Sequence, residues 1–265
     1  MPLRNSMAPS SRNARSTVAL VACLWAGAAS AQAVEATWHV VPRIEHSNVT
    51  INGNDGRWDV WSIAGGRSTQ AGNWFDAAVA RQDRNGLVDD EAQLSAGTRI
   101  GAWDTSATVQ VAPDANFLAQ WGYELRAERA AGANRRAGLG YRRLLFKDSS
   151  VNLASAHATF YRGDGEFGVD YRFGRNPQLD HDIRVLQLHG VTQSGRNQLG
   201  VYVAGGDYLF DALGIPGGSG SGWSANVAYA RTITQSTRIR FELGEGRETD
   251  TFRQHLIAIS LQYTR

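Results

Sequence analysis

The sequence predicts an all-β fold, a closed antiparallel transmembrane β-barrel of about fourteen strands (roughly 12–16). Three observations predict it. Segments of about 10 residues alternate apolar and polar side chains with period two, the connections between them swing between longer and shorter, and the last segment keeps alternating almost to the final residue. Composition agrees. The 265 residues include 29 Gly but only 6 Pro, 2 Met and 1 Cys, and the mean hydropathy is a polar −0.34. A helical membrane protein needs apolar runs of about 20 residues, and the only approach to one lies at the N-terminus.

That first segment, residues 1–31, reads as a cleaved signal peptide. Arg4, Arg12 and Arg15 supply a positive start, Val18 to Ala28 an apolar stretch, and Ala29-Ser30-Ala31 small residues for cleavage. Met7 is an equally good start. Cys23 follows Leu20-Val21-Ala22 as in a lipoprotein box, but the residues after it stay apolar where a lipoprotein turns polar. Cleavage at Ala31 leaves residues 32–265 as the barrel, without cysteine and therefore without disulfides. It also removes three Arg and no acid. The 27 basic residues become 24 against 25 acidic ones, and this near-neutral balance argues against a nucleic-acid partner.

From Trp38 onward the strand pattern begins. Ala92, Leu94, Ala96, Thr98 and Ile100 oppose Glu91, Gln93, Ser95, Gly97 and Arg99. In the segment from Phe117 to Arg129, one face reads Phe117, Ala119, Trp121, Tyr123, Leu125, Ala127 and the other Leu118, Gln120, Gly122, Glu124, Arg126, Glu128. Phe167, Val169, Tyr171 and Phe173 oppose Gly168, Asp170, Arg172 and Gly174, and Ile239, Phe241 and Leu243 oppose Arg238, Arg240 and Glu242. One face suits lipid and the other water. Val151 to Arg162 and Ile183 to Val191 carry apolar residues on both faces. A soluble sandwich alternates for the same reason, so the connections have to separate the two readings.

Outer-membrane barrels alternate short periplasmic turns with longer outer loops. The longer links are expected at Thr50 to Gly56, Arg84 to Asp90, Arg175 to Asp182, Asp207 to Ser221 and Glu245 to Asp250. The shorter ones are expected at Thr69 to Gly72, Trp103-Asp104, Gly163 to Gly165, Gln193 to Gly195 and Thr234 to Ser236. Two links break the contrast, Ala112 to Asn116 and Lys147 to Ser149, which belong outside but are short. Aromatics including Trp58, Trp61, Trp74, Trp103, Trp121, Tyr141, Tyr161, Tyr171, Trp223, Tyr229 and Tyr263 fall near strand ends, as interfacial girdles require. In the last segment Ile257, Ile259, Leu261 and Tyr263 alternate with Ala258, Ser260 and Gln262. Barrels usually end on an aromatic, whereas this chain ends on Arg265.

The Gly140-Tyr141-Arg142 element, the later Tyr171-Arg172-Phe173 and the glycine-punctuated final hairpins resemble the YaiO-type outer-membrane β-barrel family. The resemblance covers essentially the whole chain after the leader, although the helical repeat region of longer members is missing. It implies a bacterial outer-membrane location and a role in the export or modification of surface polysaccharide, and it supplies no catalytic residues.

Charged residues expected to share one interior form the candidate site: Arg99, Glu124, Arg126, Glu128, Arg142, Asp170, Arg172, Arg238, Arg240 and Glu242. Such a lining is either a hydrated path for anionic or sugar-like solutes through bidentate Arg contacts, or a salt-bridge network that narrows the barrel. A plug or narrow channel is the favoured form, because a fourteen-stranded lumen lies between filled small barrels and open porins. No catalytic residue, metal site or cofactor is expected. The Ser of Gly217 to Gly222 lack the flanks of a nucleophile elbow, and Asp180-His181-Asp182 reads as a solvated acidic loop. The alternative is a barrel enzyme acting on lipid or lipopolysaccharide, with His157, His189 or His255 meeting a serine such as Ser155 or Ser260 and a carboxylate. Expected partners are outer-membrane lipid and lipopolysaccharide, the barrel-assembly machinery and a polysaccharide.

Overall fold

A computed structural model describes residues 36–178, 180–207, 220–248 and 252–265; the expected signal peptide and most of the links expected at Asp207 to Ser221 and Glu245 to Asp250 lie outside them. The described chain is fourteen strands: β1 (Ala36–Ile51), β2 (Asn54–Thr69), β3 (Trp74–Arg84), β4 (Leu87–Ile100), β5 (Trp103–Val111), β6 (Trp121–Ala130), β7 (Arg135–Leu145), β8 (Ser150–Arg162), β9 (Gly165–Asn176), β10 (His181–Ser194), β11 (Asn197–Asp207), β12 (Ser221–Thr232), β13 (Thr237–Glu248) and β14 (Phe252–Thr264). Each pairs antiparallel with its neighbour, and β1 pairs with β14 to close the ring. Closure satisfies every ladder and leaves no edge strand, which is what a sheet needs in order to cross lipid.

Period-two alternation sets which side chains point out. Cross-strand register keeps Ile44 beside Trp61 and Ile259, Leu125 beside Tyr141, and Phe241 beside Tyr229. These residues form an apolar belt in which Ile44 is 55%, Leu139 65%, Leu243 60% and Ile257 61% exposed. A belt of this kind, cleanly separated from a polar interior, is the outer face of a membrane barrel rather than of a soluble sandwich. Trp103, Tyr229 and Tyr263 lie toward the end that holds the chain termini, and Trp61, Trp121 and Trp223 toward the distal end.

Several sequence expectations need correction. Trp58, Trp74 and Tyr161 point into the lumen and take no part in a girdle: Trp58 is buried, and the Trp74 ring lies where a Cβ on Gly97 would sit. Thr50 to Gly56 and Arg84 to Asp90 are not long loops. They are the two-residue hairpins Asn52-Gly53 and Asn85-Gly86, with φ of 51° and 79° and of 56° and 87°. Left-handed backbone at both central residues suits the primed turns that match strand twist, and Asn-Gly is the sequence that adopts them most readily. The connection near Ala112 is the reverse case. Strand β6 begins at Trp121, so the loop spans 112–120, and Phe117 and Ala119 lie inside the barrel rather than on its lipid face. The turn expected at Trp103-Asp104 sits at Gly101-Ala102, and the link after β7 stays short at 146–149. The two-faced apolar segments also find their cause. Val151, Leu153, Ile183 and Val185 point inward and form a buried cluster with Leu144, Ala119 and Ala204.

Candidate functional site

The lumen has two zones. At the distal end, loop 112–120 folds inward. Its neck is closed by the Ala112 N–H donating to the Gln120 carbonyl at 3.1 Å, and Ala112, Ala115 and Leu118 form a small core of its own with Phe117 against it. Asp89, on the inner face of β4, pins the tip: its carboxylate accepts the backbone N–H groups of Asn116, Phe117 and Leu118 at 2.8, 2.9 and 2.9 Å and the Asn116 side-chain amide at 2.9 Å. Hydrogen bonds to an ionised acceptor are about twice as strong as neutral ones. On the same side the Arg84 guanidinium lies between the rings of Trp58 and Phe117, at 4.3 and 4.1 Å from their centroids. Trp58 in turn meets Phe252 of β14 at 5.5 Å. On the opposite side Ala119 joins the apolar cluster of β7, β8, β10 and β11. The loop thus touches both walls.

Beneath it lies a charged vestibule. All ten residues expected to line the interior occupy inward positions of β4, β6, β7, β9 and β13, and side-chain contacts gather them into three groups. In the first, Arg126 Nε donates to Glu124 at 2.6 Å and its Nη2 to Asp170 at 2.6 Å, a chord from β6 to β9 that passes over β7 and β8. Glycine makes the room for that chord, since a Cβ on Gly140 would stand 3.3 Å from Arg126 Cγ. Arg172 donates to the other Asp170 oxygen at 3.2 Å, while Arg142 reaches Gln110 at 3.3 Å and lies 3.9 Å from Glu124. Three arginines therefore share two carboxylates.

The second group, about half-way round the ring, repeats that ratio. Arg43 of β1 meets Glu45 at 2.8 Å and Glu242 at 2.7 Å, Arg240 meets Glu242 at 2.5 Å, and Arg238 bonds Gln198. A cavity of about 260 Å³ opens among Arg43, Arg238, Arg240, Glu242 and Gln262. The third group lies toward the terminal mouth, where Arg99 meets Asp104 at 2.7 Å, and Arg136 bonds Asp104 and lies 3.0 Å from Glu128. The sequence reading missed Arg43, Glu45, Asp104 and Arg136. For the first two, the signal was there in the period-two row Val41, Arg43, Glu45. Asp89 and Arg84 could not be singled out, because the partners of Asp89 lie 27–29 positions further along the chain and Phe117 lies 33 positions beyond Arg84, and these meet only through the fold of loop 112–120.

The hydrolase geometry does not assemble among the described residues. His157 faces Glu128 at 3.5 Å and His189 faces Glu166 at 3.1 Å, but neither has a hydrogen bond to a serine, and His255 points outward. Ser221 donates to Asp207 at 2.6 Å, and Gly217 to Ser219 lie outside the described residues. Asp180 bonds Arg175, and Asp182 lies 3.8 Å from Arg184. No group of three potential metal ligands occurs among the described residues.

No family model and no curated protein matches the chain. Solved structures do. A TodX variant described as a monoaromatic hydrocarbon channel superposes with a TM-score of 0.58 at 8% identity, covering 88% of this chain and 91% of that one. An anion-selective porin from Comamonas acidovorans reaches a TM-score of 0.47 at 8% identity over 87% of this chain and all of its own, and KdgM porin 0.45 at 10% over 83% and 98%. The chain has the fold of the bacterial outer-membrane β-barrels, and at these identities the likeness is one of fold alone.

Proposed function

We propose that the protein is a narrow, loop-constricted conduit of the bacterial outer membrane for small polar or anionic solutes. With both termini in the periplasm, as export requires, the vestibule opens inward and loop 112–120 stands beneath the outer mouth. The observation that carries this reading is the pairing of a partly exposed ring of arginines and carboxylates with a compact loop whose tip is pinned by one carboxylate, Asp89. Inward charges supply transient partners for a solute shedding water, and a loop tip pinned at one acceptor can be loosened. The resemblance to the YaiO-type family gives a direction to this proposal: the solutes belong to the making or export of surface polysaccharide. Lipopolysaccharide would meet the arginines above the distal edge of the belt, such as Arg57, Arg81 and Arg184, and the assembly machinery would engage β14.

Planar-bilayer recording on the purified barrel tests the proposal. Wild type passes small, discrete currents, and Asp89→Ala, which frees the loop tip, raises conductance several-fold. Silence in both proteins, when each is folded by heat-modifiable migration, defeats it. A lipid hydrolase gains no support from the histidine geometry above.

A further inference from the structure

A second cavity, of about 350 Å³, opens on the vestibule wall from the first arginine group toward the second. Its floor is unusual for a charged lumen. His189, Tyr202 and Asn226 stand directly opposite one another on β10, β11 and β12, and Gly168 and Gly244 continue the same row at its two ends. The His189 ring occupies the place of a Gly168 Cβ, with three ring atoms within 1.9–2.6 Å of it, and the outer edge of the Tyr202 ring lies 3.0–3.5 Å from where a Gly200 Cβ would be. Glycine thus lets both rings lie against the wall. Their planes are within 23° and their centroids 6.2 Å apart, so they form two near-parallel, adjoining rings on the cavity wall.

Hydrogen-bonding groups surround this floor. Gln187, Ser224 and Asn226 line the cavity with amide and hydroxyl groups. Arg172 stands on one flank, using Nε on Asp170. Arg240 stands on the other, using Nε on Glu242, with its guanidinium 5.9 Å from the Tyr202 centroid. Neither arginine has a second hydrogen bond among the described residues, so the paired N–H groups of each remain for a ligand, in the geometry that grips a carboxylate at two points. The acids that line the cavity, Glu128 and Asp170, and the nearby Glu166 and Glu242 are each already engaged by Arg or His.

Flat rings accept the C–H face of a sugar ring, amides accept and donate to its hydroxyls, and arginine forks take a carboxylate. A site of about 300–1,000 Å³ with a few convergent polar groups is the usual size for a small ligand. From this we infer that the row His189, Tyr202 and Asn226 is a binding site for acidic saccharides of the uronic-acid class, with the sugar face on the two rings and its carboxylate on Arg172 or Arg240. The inference rests on the conduit reading and narrows its solute.

Calorimetric titration of the folded full barrel in detergent micelles tests it, with trigalacturonate as the acidic probe and maltotriose as the neutral one. Wild type binds trigalacturonate about tenfold or more tighter than maltotriose. Arg172→Gln with Arg240→Gln collapses that preference. Tyr202→Ala weakens both sugars by about tenfold, and Tyr202→Phe, which keeps the ring, restores them. No binding of trigalacturonate to folded wild type, or equal binding by Tyr202→Ala, overturns the inference even if the barrel conducts ions. Binding by a barrel whose loop-released Asp89→Ala form passes no current would instead sink the conduit reading and leave the saccharide site standing.

Discussion

The distal zone and the vestibule are lined by inward positions of the same strands, yet they are filled by opposite means. Near the distal mouth Ser47, Leu144, Ile183 and Val185 are wholly buried, covered by neighbours and by a loop that brings its own small core. One or two turns of the same ladders further down, Arg126 and Arg240 keep about a third of their side chains open, at 33% and 35%. The strand geometry does not differ between the zones. What differs is what each inward residue gains by leaving water: a buried Leu or Ile side chain contributes about 1.5–3 kcal/mol, whereas a paired arginine roughly recovers what its desolvation costs. The distal zone therefore works as the barrel's core, and the vestibule as a solvated surface that happens to be concave.

Each of four changes would break or sharpen that contrast. The largest effect is expected from replacing residues 113–119 with a two-glycine link, which opens the distal zone. Single-channel conductance should rise several-fold and exceed that of Asp89→Ala, and an unchanged conductance would show that the loop is no constriction. Next, Ile183→Ala leaves a hole in the packed cluster and should cost about 2–5 kcal/mol in urea unfolding from lipid vesicles, while Gln187→Ala, on the same strand but in the vestibule, should change stability by less than about 1 kcal/mol. Equal losses at the two sites would erase the distinction between core and surface. Third, Arg126→Ala leaves Asp170 to Arg172 alone. With a third of Arg126 in solvent its stability cost is about 1 kcal/mol or less, and its main readout is a reversal potential shifted toward cations under a salt gradient. Smallest of all, Arg81→Ala removes an exposed outer pair with Asp90 at 3.9 Å, and stability, conductance and selectivity should all stay within measurement error.

Much of this was legible in the sequence, and where it was, the reason is local. Alternation at Phe167 to Phe173 and at Ile257 to Tyr263 fixes which face each side chain takes, because successive strand residues must point opposite ways. The same rule brings Glu124, Arg126 and Glu128 to one side without any knowledge of their neighbours. The loop lengths misled because distance between apolar segments was read as loop. At Asn52-Gly53 and Asn85-Gly86 polar strand residues continue to a two-residue turn, and the Asn-Gly signal should have overruled the count. Phe117 misled in the other direction: its alternation with Leu118 and Ala119 imitates a strand, but those residues serve a loop whose apolar side chains fill the distal lumen.

By itself, the sequence determined the all-β class, a strand number of about fourteen, the two-faced wall and the inward side of ten of its charges, since alternation follows from a repeat of two residues and needs no partner. Only the tertiary structure decided that Arg126 reaches Asp170 over two intervening strands, that Asp89 holds loop 112–120 across the mouth, and that Gly168 and Gly200 let His189 and Tyr202 lie against the wall. Those contacts depend on ring closure, register and a loop's path, which bring together residues dozens of positions apart, and no periodicity along the chain records them.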